Sequence, residues 1–145
     1  MSNLCITVIA TIVSSIIAST VAIIINRKTL RAQEMNALRS QIDKMIDISI
    51  EYPYLEDDKY CEKWSSKDKS TVITMRYENY CCFVFNLLER GWKHFGGNKL
   101  KIEKWLYIKE IIKRHKKWWR ADVTNEYAYQ SAFRDFINSY IEDEK

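Results

Sequence analysis

The residues most able to do chemistry in this 145-residue chain are gathered in one segment. Between Lys99 and Arg120 stand seven Lys and two Arg against Glu103 and Glu110, a net +7; the rest of the chain is net −3, so the formal +4 comes wholly from this segment. Its end, Lys113-Arg114-His115-Lys116-Lys117-Trp118-Trp119-Arg120, interleaves cations with aromatics. Lys and Arg neutralise phosphate, and a Trp face stacks on a base. Lys109, Lys113, Arg114, His115, Lys116, Lys117, Trp118 and Arg120 are therefore the candidate anion-binding residues, for a cyclic nucleotide or for RNA or DNA. Two other uses fit the same residues. A solvated helix face with Trp105 and Trp119 in the core would place its cations against the helix dipole. A polybasic, Trp-bearing segment would also dock on anionic lipid headgroups.

No catalytic motif accompanies it. His94 and His115 are the only histidines, with no HExxH and no Cys/His cluster at zinc spacing. There is no GxSxG elbow, no GxxxxGK[ST] loop and no GxGxxG turn. The expectation is a protein that is not an enzyme and uses no metal or cofactor. Glu56-Asp57-Asp58 reads as a solvated acidic loop. Cys61, Cys81 and Cys82 read as small buried apolar side chains, since the adjacent pair Cys81-Cys82 cannot act as a CxxC couple.

The element that positions all of this is Leu4 to Ile25, 22 residues without a charge. A helix of that length spans about 33 Å, against a bilayer core of roughly 30 Å. Met-Ser-Asn precedes it without a side-chain charge, and Arg27, Lys28 and Arg31 follow it. Length and flanks favour an uncleaved anchor over a signal peptide, and the positive-inside rule puts the amino terminus outside and the remainder in the cytoplasm. Thr7, Ala10, Thr11, Ser14, Ser15, Ala18, Ser19 and Ala22 share one half of that helix. Helices in lipid associate through small residues and hydroxyls, so this stripe is the expected face of a homo-oligomer. Hydroxyls bonding back to their own i−4 carbonyls would produce the same composition.

With three Gly and one Pro, and aromatics at 13%, the remainder reads as a folded helical domain. The fold class is all-α, one amino-terminal transmembrane helix followed by a small cytoplasmic domain of about four helices. Residues 1–26 form the anchor, 27–50 a juxtamembrane helix and 51–145 the domain. Met35, Leu38, Ile42 and Met45 keep a/d spacing, which suits either a coiled-coil stalk or a first helix packed on the domain. Pro53 ends that helix, and 51–70 reads as a connection with Tyr52, Tyr54 and Trp64 as anchors. The next helices are expected at about Thr71 to Arg90 with Gly91 as a stop, at Asn98 to Trp119, and at Glu126 to Ile141.

The anchor followed by TLRAQ, the Tyr52-Pro53-Tyr54-Leu55 turn, YENYCCFVFNLLERGW leading into IEKWLYIKEII, the Trp118-Trp119 pair and the closing YQSAFRDFINSYI carry a resemblance. The chain resembles a family of bacterial single-pass membrane proteins with a small helical cytoplasmic domain. Some of these look like membrane effectors of antiviral defence. The resemblance implies an inner-membrane topology and an all-helical domain, and no catalytic residue. Together these readings describe a membrane-anchored, oligomeric sensor or effector that binds an anionic ligand. The alternative is a non-catalytic scaffold docking a protein partner or anionic lipid.

Overall fold

In the computed structural model the chain is described over residues 2–65, 71–121 and 123–142, excluding the side chains of 2–7, 10, 123 and 124. Seven α-helices and one 3-10 turn account for it, with no strand among the described residues. The helices are α1 (Ser2–Glu51), α2 (Asp58–Lys63), α3 (Val72–His94), α4 (Lys99–Trp105), α5 (Ile108–Ala121), α6 (Val123–Tyr127) and α7 (Ser131–Glu142). The 3-10 turn is Pro53–Glu56.

Two compact units divide the chain, Met1–Ala37 and Leu38–Lys145. In the first, α1 is the one helix among the described residues long and apolar enough to cross a membrane. Its described Ile and Val side chains from Val8 to Ile25 are exposed, as an apolar span requires of its lipid-facing surface. Ser15 and Ser19 donate to the carbonyls of Thr11 and Ser15, at 2.9 and 2.8 Å. These two hydroxyls of the stripe thus turn back on their own helix. Ser15, Ala18, Ser19 and Ala22 are exposed, as are Thr11 and Ser14, while the side chains of Thr7 and Ala10 lie outside the described residues.

The second unit begins inside the stretch expected as a stalk. Leu38 is buried, and Met45 and Ile48 pack against the domain core. The a/d-spaced residues from Leu38 onward therefore serve as the domain's first helix. Of the connection expected over 51–70, residues 66–70 lie outside the described residues, and the described part folds into the 3-10 turn and α2. The Asp57 side chain accepts the Tyr60 N–H at 2.7 Å and starts α2, whose Cys61 is buried, as is Trp64 just beyond it.

Two expected single helices are each divided. The break between α4 and α5 falls at Leu106, which is extended at φ −147° and ψ 150°. At about 100° per residue, an unbroken helix would turn Ile102 roughly 140° away from the centre of the stripe formed by Ile108, Ile111, Ile112, His115, Trp118 and Trp119. Breaking the helix lets both sets reach one core. The carboxy-terminal helix divides likewise into α6 and α7 around residues 128–130, with Tyr129 buried between them.

Gly91 is not a stop, since α3 runs through it to His94. The turn comes at Gly96 and Gly97, at φ +61° and +73°, a region that L side chains rarely adopt. At Gly91 the absent Cβ makes room for the Trp105 indole, because a Cβ there would lie 2.2 Å from the ring. Ala normally improves a helix interior by about 1 kcal/mol over Gly. Here Gly91→Ala should reverse that sign and destabilise by about 2 kcal/mol through overpacking, as read from chemical denaturation of the full chain in nanodiscs. A neutral or stabilising result would mean that Trp105 can move aside freely.

Candidate anion-binding cleft

The faces of α5 are sharply divided, and the site follows from that division. Ile108, Ile111, Ile112, His115, Trp118 and Trp119 are buried on one side. Lys113, Lys116, Lys117 and Arg120, at i, i+3, i+4 and i+7, stand in one row on the other. Those four cations, with Arg114, line a cleft of about 690 Å³ against α2. Trp64 and Ser65 complete the wall, and Asp58, Glu62 and Glu110 contribute carboxylates. Lys117 Nζ donates to the Glu62 carbonyl at 2.7 Å, which ties the cation row to the far wall.

Arg114 is a wall of the cleft and its fastener. Its guanidinium donates to Glu56 and, at 2.8 Å through Nε, to Asp58. This joins α5 to the acidic run, which is thus engaged throughout: Glu56 and Asp58 by Arg114, Asp57 as a helix cap. Desolvation would lower the Arg114 pKa, but its bonds to Asp58 and Glu56 outweigh that and raise it. Burial alone would raise the Glu56 carboxyl too. Hydrogen bonds from His115, Tyr80 and Arg114 more than offset it, and hold that carboxyl at about 2.

Behind the cleft, His115 is fully buried. Its Nδ1 lies 3.1 Å from the Tyr77 hydroxyl and 3.9 and 3.8 Å from the Cys61 and Cys81 thiols. Burial pushes the Cys61 thiol up to about 11 and raises Cys81 and Tyr77 well above their ordinary values. All three therefore keep their protons at neutral pH, and the Cys61 thiol donates to the Leu55 carbonyl at 3.5 Å. Nε2 faces Glu56 Oε1 at 3.4 Å, and Tyr80 donates to the same oxygen. Although two thiols and an imidazole converge here, no group of three His, Cys, Asp or Glu among the described residues has the arrangement of a metal site. The enclosed ring orders the carboxylate that holds Arg114.

Of the eight residues to which the sequence points, Lys113, Arg114, Lys116, Lys117 and Arg120 are brought together in the cleft. His115 and Trp118 are in the core, because their positions fall in phase with Ile111 and Ile112. Lys109 is exposed but does not line the cleft. Glu56, read as part of a solvated acidic loop, is instead held by Arg114, Tyr80 and His115, and Tyr77 and Tyr80 join the site without any local sequence feature to mark them. The helical phase of position 115 is the one available signal. Cys82, unlike Cys61 and Cys81, is exposed. Comparison with protein-family models, with curated proteins and with solved structures finds no match to this chain in any of the three.

Proposed function

We propose that the protein is a membrane-anchored, homo-oligomeric sensor or effector of the bacterial inner membrane. In this reading its cytoplasmic helical domain binds a compact anionic ligand of the cyclic-nucleotide class. The observation that carries it is the row of four cations from α5 converging, with Arg114 and Trp64, on one cleft. Small-molecule sites have volumes of roughly 300–1,000 Å³, so this one suits a nucleotide better than long duplex nucleic acid. The role is binding rather than catalysis, the small-residue stripe of α1 carries assembly, and antiviral defence is the setting suggested by resemblance alone.

The test uses the full chain in nanodiscs, with unfolding temperature followed against cyclic mononucleotides, cyclic dinucleotides and short single-stranded RNA and DNA at low and high salt. A ligand that binds only the folded state raises the melting temperature. The expected result is a selective, salt-sensitive shift from one cyclic nucleotide. Lys113→Glu, Lys116→Glu, Lys117→Glu and Arg120→Glu together should weaken it by roughly a hundredfold or more, at about 1.5–3 kcal/mol for each charge-assisted hydrogen bond removed. Arg114 is left intact because it holds Glu56 and Asp58. Absence of any shift would overturn the ligand reading and favour a scaffold that docks a protein partner.

A further inference from the structure

The elbow between α4 and α5 presents a surface of a different kind. Leu100 and Tyr107 are 69% and 86% exposed, large apolar side chains turned outward. Around them Lys99, Lys101, Lys104 and Lys109 are all exposed. The single carboxylate of α4, on Glu103, accepts the Tyr140 hydroxyl at 2.9 Å, and Lys99 Nζ lies 4.5 Å above the Tyr140 ring. These contacts fix α4 to α7 and engage its one negative charge. Only Ile102 of α4 is buried, and extended Leu106 leaves Tyr107 at the tip of the elbow. None of these outward residues lines the cleft.

We propose that this elbow docks on a bilayer surface carrying anionic phospholipid. Leu100 and Tyr107 would seat at the boundary of headgroups and acyl chains, and Lys101, Lys104 and Lys109 would lie among the phosphates. Water gives an exposed Leu and an exposed Tyr no stabilisation, whereas the interface takes both, and amphipathic Tyr prefers that depth. The surrounding lysines match anionic headgroups, each adding roughly fivefold to surface binding. A nucleic acid would engage the lysines and Tyr107 but leave Leu100 in water. The inference rests on the anchor of the proposed function, which keeps a bilayer at hand, and not on the cleft ligand.

The experiment uses the full chain in nanodiscs, with Cys5→Ser and Cys82→Ser, and an environment-sensitive NBD label on Leu100→Cys. A second labelled chain carries Asn86→Cys, at an exposed position of α3, as the reference. Nanodiscs of phosphatidylcholine alone are compared with phosphatidylcholine mixed with phosphatidylglycerol. The expected result is a blue shift at position 100, quenched by spin-labelled lipid, only in the phosphatidylglycerol discs and not at position 86. Tyr107→Ser should diminish it, and Lys101→Gln, Lys104→Gln and Lys109→Gln together should lower docking by roughly a hundredfold. Equal emission in both lipids, or equal shifts at both positions, would overturn the docking. An equal shift from short RNA in phosphatidylcholine discs would assign the elbow to nucleic acid instead. Failure of the chain to enter nanodiscs would overturn the anchor itself and this inference with it.

Discussion

Replacing Trp119 by Ala should lower the unfolding free energy by about 4 kcal/mol, a large share of the roughly 5–15 kcal/mol that holds a domain together. The fully buried indole is stacked on Phe85 at 4.7 Å, lies 5.2 Å from Tyr129 and meets Phe133 edge-on at 6.2 Å. Its Nε1 donates to Asn138 at 3.0 Å, and Asn138 in turn donates to Glu126 at 3.0 Å. Truncation therefore opens a cavity among three rings and leaves the Asn138 oxygen without its donor. Denaturant unfolding of the full chain in nanodiscs, with exposed Lys116→Ala as reference, reads the difference. A cost near that of the reference, within about 0.5 kcal/mol, would show that the aromatic cluster is not the centre of the core.

The second large effect is expected at Glu56. Its carboxyl sits at about 2 in the fold against an ordinary 4.5. A depressed carboxylate contributes its stability above the unfolded value and loses it as pH falls through the folded one. The contribution, about 3 kcal/mol, is thus complete above pH 4.5 and disappears between there and pH 2. Glu56→Gln keeps the shape but removes the charge that Arg114, Tyr80 and His115 address. It should destabilise the domain by about 3 kcal/mol at neutral pH and flatten the acid limb of the stability curve. The unfolding midpoint measured in steps from pH 7 to pH 2 checks both. A Gln variant that keeps the parental acid slope would assign that slope to other carboxylates.

The helical class and the apolar span are legible in the sequence because each rests on local composition and length. The breaks inside two helices are not. Ile102, Trp105, Leu106, Ile108 and Ile112 read as one stripe when counted loosely, and only their phase shows that one straight helix cannot bury Ile102 together with Ile111. Gly91 misleads for a related reason, since the atom that needs its missing Cβ belongs to Trp105, 14 positions away. In the site, the cation row is legible because it is periodic. The His115 network is not, because its partners Glu56 and Tyr77 lie 59 and 38 positions distant. A histidine flanked by Arg114 and Lys116 looks solvated until position 115 is placed on the face of Trp118 and Trp119.

Arg114 belongs at once to the wall of the cleft and to the carboxylate pair beneath it, and that double membership makes two equilibria reciprocal. Protonating Glu56 removes one of the two carboxylate partners of Arg114 and loosens that wall of the cleft, so under the proposed reading acid would weaken anion binding. By the same thermodynamic cycle, an anion seated on the row from Lys113 to Arg120 makes the folded carboxylate harder to protonate, and moves acid unfolding to lower pH. Under the proposed anion binding, occupancy of the cleft would be written into the proton uptake of Glu56, which does not line it.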